Sequence, residues 1–275
     1  QRGVTMAIQP PYPSFETPDV IDDFFVAGRN LWPDLASFKN LKFDREQVPA
    51  EIVRFLRSTT LNEHGVAHYL GSYFQNYQND FKLRFWSAMW TAEEYTHYII
   101  LRRICQGLDA DLTEKDFHGL EMGDYFQNMK AYLDRIKVDP SIDMRMLQLI
   151  YGVLQEYGAV IAYTAAAEQC GIPEIAAILK RVAKDEMRHC RFNQVALEAM
   201  LEHCSEGEKA LVWPQFRAIW GDLEMPTEHI GYFAEIGATD LYTSLWDGEK
   251  KSKIVLYLSR YFSKYRQYMN NSASA

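Results

Sequence analysis

Apolar residues recur at three- and four-residue spacing along most of the chain after residue 48, while the alternation expected of strands is scarce. That period predicts a mostly α-helical protein. Long helices are expected over about 48–77, 81–108, 141–170 and 174–204, with shorter ones near 115–136, 207–222, 227–246 and 250–269. The opening stretch IQPPYPSFETP is too rich in proline for a helix, so residues 1–31 read as an extended arm. No linker marks a second domain, and the NNSASA tail is the one low-complexity segment. The expected organisation is a single domain over 1–275, with a helix bundle at 48–204 and additional helices at 205–275.

One helical stretch breaks the amphipathic pattern. AKDEMRHCRF, residues 183–192, places Asp185, Glu186, Arg188 and His189 within little more than a turn, between residues that look like core: Val182, Ala183, Met187 and Phe192. It has a counterpart in WTAEEYTHYI, residues 90–99, where Glu93, Glu94 and His97 repeat the order acid, Glu, two residues, His. Residues three apart share a helical face, so Glu94 with His97, and Glu186 with His189, can each hold one metal ion.

A two-metal site in a helix bundle needs one further carboxylate from each of two other helices. Glu63 in TLNEHGVAHY and Glu156 in GVLQEYGAVIAY are the candidates. Two antiparallel helices present ligands at equal depth when the turn falls midway between them. The midpoint of Glu63 and Glu94 lies in NYQND, and that of Glu156 and Glu186 lies in CGIP, both rich in turn residues. Four carboxylates would balance two divalent cations in an interior that penalises uncompensated charge. Mixed carboxylate and imidazole ligation suits iron, with manganese the alternative. Asp185 could then accept the free ring N–H of His97, and Glu93 that of His189, fixing tautomer and orientation. A salt bridge to Arg188 or to a lysine is the competing role for both acids.

Composition narrows the partners. A net charge of −8 with no long basic block argues against nucleic acid. No apolar run approaches the roughly 20 residues needed to span a bilayer, and nothing near the start has the charged and apolar regions of a signal peptide. Cys105, Cys170, Cys190 and Cys204 form no CxxC pair. They read as free thiols in a reducing compartment, the cytoplasm or, in a plant, a plastid.

These motifs resemble those of a known family, the soluble acyl-carrier-protein desaturases of the ferritin-like di-iron superfamily. WTAEEYTH resembles the family's WTAEENRH, and KDEMRH is similar to its ADEKRH. NEHGVAHY keeps a glutamate and, six residues on, Tyr69, as EEALPTY does; WPDLASF is similar to FLPDPAS. The resemblance covers residues 32–200. It implies a ferritin-like four-helix bundle with extra flanking helices and a homodimer, with Glu63, Glu94, His97, Glu156, Glu186 and His189 binding two iron ions. It also implies oxygen-dependent insertion of a double bond into an acyl chain tethered to acyl carrier protein, with electrons from a ferredoxin-type donor. No catalytic residue beyond the metal ligands is expected.

Three positions depart from the family pattern. Tyr95 and Thr96 replace its Asn and Arg, and Ala159 stands where the plant enzymes carry a threonine. A hydroxylase, halogenase or N-oxygenase on a similar scaffold, or a ferritin-like iron-oxidising protein, therefore stays open. The small residues Gly152, Gly158, Ala159 and Ala162 would leave room for a substrate channel beside the metals, or equally for close helix packing. His64, His68, His118, His203 and His229 read as structural or solvent-facing. In KKSKIVLYLSRYFSKYRQY, residues 250–268, basic residues between tyrosines at helical spacing form a face that an acidic carrier protein could meet.

Overall fold

A computed structural model of the chain describes residues 34–113 and 141–223, together with Trp32, Asp116, Asp139 and Leu256. Two short 3-10 turns, Leu35–Asn40 and Arg45–Gln47, lead into five helices: α1 (Ala50–Asn76), α2 (Phe81–Gly107), α3 (Met144–Gln169), α4 (Pro173–Glu202) and α5 (Glu206–Leu223). Among the described residues there is no strand, and the all-α expectation holds. The helices near 115–136, 227–246 and 250–269, the arm at 1–31 and the tyrosine-rich face lie outside the described residues, apart from Asp116 and Leu256.

Local chemistry sets the helix ends. Asp80 caps α2 by accepting the Leu83 N–H at 2.9 Å, and Asp143 caps α3 by accepting that of Arg145 at 2.8 Å. The Arg145 guanidinium also grips the Asp143 carboxylate at 2.7 and 3.0 Å. Pro173 opens α4, where its missing N–H costs nothing and its fixed φ suits the first turn. Before it, Gly171 takes φ +78°, a left-handed conformation that glycine tolerates best.

These stops make two hairpins, α1–α2 and α3–α4, whose helices pack extensively on one another; the hairpins meet through α1 against α3 and α2 against α4. Depth in the bundle follows from the turns. Glu63 lies 13 residues before the end of α1 (76 − 63) and Glu94 lies 13 after the start of α2 (94 − 81). The second hairpin repeats this, with Glu156 13 residues before the end of α3 (169 − 156) and Glu186 13 after the start of α4 (186 − 173). At 1.5 Å per residue, all four glutamates sit roughly 20 Å from their turns.

Apolar packing surrounds that level. Phe55, Leu56, Leu101, Ile104, Leu149, Ile150, Leu179 and Phe192 are fully buried. Val182 and Ala183 are buried as expected, while Met187 is half-buried. Cys105, Cys170 and Cys190 are buried free thiols and Cys204 is partly exposed. No helix among the described residues is long and apolar enough to cross a membrane.

Two glycines serve close approach. A Cβ on Gly152 would lie 2.6 Å from the Asn193 amide nitrogen, so the space it leaves admits a side chain from α4. A Cβ on Gly171 would lie 2.3 Å from the Gln47 carbonyl oxygen, on a backbone that already disfavours side chains. Gly171→Ala is therefore expected to destabilise the fold by about 1–3 kcal/mol, read as a lower midpoint in thermal or urea unfolding.

Candidate metal centre

Four helices each contribute a carboxylate to one buried point, and α2 and α4 each add an imidazole one turn later. Glu63, Glu94, Glu156, Glu186, His97 and His189 are all buried in an otherwise apolar core. They form two overlapping groups, Glu63–Glu94–His97–Glu186 and Glu94–Glu156–Glu186–His189. In each group the candidate ligand atoms all lie within 4.8 Å of one another.

The shared members are Glu94 and Glu186, and each divides its two oxygens between the two imidazoles. Glu94 places Oε2 2.9 Å from His97 Nδ1 and Oε1 2.9 Å from His189 Nδ1. Glu186 places Oε1 3.2 Å from His97 Nδ1 and Oε2 3.2 Å from His189 Nδ1. Each of these two carboxylates thus faces both halves of the cluster. Glu63 completes the His97 half and Glu156 the His189 half.

Neutral donors hold the two outer glutamates. The Tyr163 hydroxyl donates to Glu63 Oε1 at 2.6 Å, and the Trp90 indole N–H donates to Glu156 Oε1 at 3.0 Å. Behind the imidazoles stand two further acids. His97 Nε2 lies 3.2 Å from Asp185 Oδ2, and His189 Nε2 lies 2.7 Å from Glu93 Oε2. Each histidine thus directs Nδ1 inward and Nε2 at a carboxylate, an arrangement that favours the tautomer with Nδ1 free to bind a metal. Asp185 also accepts the Trp32 indole N–H at 2.8 Å, and Glu93 also accepts from Arg188. Arg188 thus pairs with Glu93 while Glu93 engages His189.

The electrostatics show what the pocket lacks. Burial raises the Glu63 carboxyl well above the usual range, reinforced by the charges of Glu94 and Glu186. Burial likewise raises Glu156, again with Glu94 and Glu186 adding to it. Burial also opposes ionisation of Glu94, but His189 and His97 outweigh it and hold that carboxyl below its ordinary range. For both histidines burial disfavours the charged form; Glu186 and Asp185 beside His97, and Glu94 and Glu186 beside His189, overcome it and raise both well above normal. The cluster thus favours holding protons on the histidines and outer glutamates, a positive charge that bound cations would supply instead.

The donor set fits metal. Glu94 Oε1 and Glu186 Oε1 are buried without a hydrogen bond, although imidazole nitrogens lie 2.9 and 3.2 Å away. Neither contact has hydrogen-bond geometry, and cations between the carboxylates would satisfy both oxygens. All-oxygen and imidazole ligation without thiolate suits iron or manganese.

An all-α bundle with carboxylates and imidazoles converging in its interior defines a class, helical proteins built around a candidate metal centre. A sequence profile described as fatty acid desaturase matches residues 35–243, and the chain belongs to that family. It is a desaturase-like oxidoreductase. A comparison with curated proteins finds no match.

Three contributors to the site escaped the sequence reading. Trp90 lies one turn before Glu94 and Tyr163 two turns after Glu156, so helical spacing could have placed both on the ligand face. Trp32 lies 153 residues from Asp185, and no spacing signal connects them. Of the other histidines, His64 packs its ring 5.0 Å from that of Tyr98, and His203 closes the end of α4. His118 and His229 lie outside the described residues, as does the side chain of His68.

Metal loading is expected to release protons, because Glu63, Glu156, His97 and His189 are all held above their ordinary values and must shed protons to offer lone pairs. Affinity for Mn2+ or anaerobic Fe2+ should therefore rise with pH. Calorimetric titration in buffers of different ionisation heat measures this; a buffer-independent heat would contradict it.

Proposed function

We propose that the protein is a di-iron desaturase that removes two hydrogens from adjacent carbons of an acyl chain carried on acyl carrier protein. The observation that carries this reading is the sharing of Glu94 and Glu186 between two imidazole-capped halves in a chain of the fatty acid desaturase family. Bound there, two iron ions would supply the electrons and Lewis acidity that activate dioxygen.

The protein's own work is positional. Glu94 and Glu186 set the separation of the two halves, while Tyr163 and Trp90 hold Glu63 and Glu156 in place through their Oε1 atoms. Asp185 and Glu93 hold the imidazoles in one tautomer, and the apolar packing around the cluster excludes water from a reactive oxidant. Forming one alkene while reducing dioxygen to two waters consumes the two substrate hydrogens, two further electrons and two protons. A reductant is therefore required, and a ferredoxin-type donor is the proposed source.

A substrate channel is proposed on the α3 side, beside partly exposed Ala159 and buried Ala162. At Gly152 the Asn193 side chain occupies the space, so that glycine serves helix packing in this structure. A second copy of the chain is the proposed partner for the outer face of α2. There Phe81, Phe85 and Tyr95 are 76%, 57% and 54% exposed, and with exposed Ala88 and Ala92 between Phe85 and Tyr95 they follow heptad spacing.

Intact-mass analysis of acyl carrier proteins, after incubation with iron-loaded protein, a reduced ferredoxin and oxygen, tests the reading. Loss of two hydrogens supports it; gain of one oxygen would make the protein a hydroxylase, and unchanged carriers would remove the tethered substrate. Ala159→Phe is expected to reduce or redirect oxidation with iron content intact, checked by product mass alongside metal analysis.

A further inference from the structure

The two halves of the centre match in their inner ligands and differ in what stands behind them. Behind His97, Asp185 receives a neutral donor, the Trp32 indole N–H at 2.8 Å. Among the described residues no guanidinium bonds Asp185; Arg181 stacks 3.8 Å over the Trp32 ring and pairs with Asp34 at 2.9 Å. Asp185 therefore keeps its full negative charge on the His97 ring.

Behind His189 the acid is neutralised. Arg188 Nη2 bonds the same Oε2 of Glu93 that faces His189 Nε2, and it lies 3.4 Å from that ring nitrogen. The Nε and Nη1 groups of Arg188 are buried without a hydrogen-bond acceptor, so the guanidinium is committed to Glu93. The side chains of Arg188 and Glu93 are 13% and 14% exposed, which leaves little water to screen the pair.

A carboxylate on the outer nitrogen of an imidazole raises the basicity of its metal-binding nitrogen. Sharing that carboxylate with a guanidinium withdraws part of the effect and adds a positive charge near the ion. We propose that Arg188 makes the two metal positions unequal, so that the Glu63–His97 half fills first and tightly while the Glu156–His189 half binds the more weakly held, exchangeable ion. Arg188 is thus a positioning residue that acts through Glu93 and His189. The inference rests on the di-metal reading above.

Anaerobic titration of the metal-free protein with Co2+, followed by absorption and calorimetry, tests it, with anomalous scattering locating the ion in crystals grown at one equivalent. The expected result is two binding steps separated by about tenfold or more, the first ion lying against His97. Arg188→Met should narrow the gap by strengthening the second step, and Arg188→Lys should restore it. Glu93→Gln, which leaves the guanidinium unbalanced, should widen it. A merely structural role would weaken the second step in both Arg188→Met and Glu93→Gln, and that result would overturn the proposal. So would equal occupancy at one equivalent, or a first ion at His189. Binding of fewer than two ions by the unmodified protein would bring down the di-metal reading itself.

Discussion

The cost of burying ionised groups in an apolar bundle governs this structure. Glu63, Glu94, Glu156, Glu186, His97 and His189 sit together with almost no access to water. Isolated charges there would each cost several kcal/mol. Without metal the cluster balances itself with protons, raising both histidines and the two outer glutamates and lowering Glu94. Within those six groups, one oxygen each of Glu94 and Glu186 still lacks a hydrogen bond. The arrangement makes physical sense as a container for cations, whose charge is the one missing component.

That container depends on register. Four glutamates from four helices meet because each lies 13 residues from its hairpin turn, so the turns at Tyr77–Asp80 and Gly171 act as rulers. The Asp80 cap and the left-handed Gly171 fix where each ruler begins. A residue inserted in one arm would rotate every later side chain by about 100° and shift it by about 1.5 Å, removing a ligand from the cluster. Stability at the turns and competence at the centre are thus one requirement.

Around the six inner groups stands a second layer whose members are chosen by charge as well as by reach. Tyr163 and Trp90 offer neutral donors to the outer glutamates, and Trp32 offers one to Asp185. Among the described residues, the donor is a cation on the His189 side alone, Arg188. Near-symmetry in the inner cluster is thereby combined with asymmetry behind it.

The sequence by itself determined the all-α class, the ends of α1 to α4 to within three residues, and the facing of Glu94 with His97 and Glu186 with His189. Those features are local: helical periodicity, caps and i,i+3 spacing act within a few residues and leave their mark on the chain directly. The symmetric placing of turns even exposed the pairing of Glu63 with Glu94 and of Glu156 with Glu186. Which oxygen faces which imidazole, the Trp32–Asp185 contact across 153 residues, and the choice of Glu93 by Arg188 were decided only by the tertiary structure. They depend on how the two hairpins are rotated and seated against each other. That seating comes from the packing of the whole core, and short-range spacing carries no record of it.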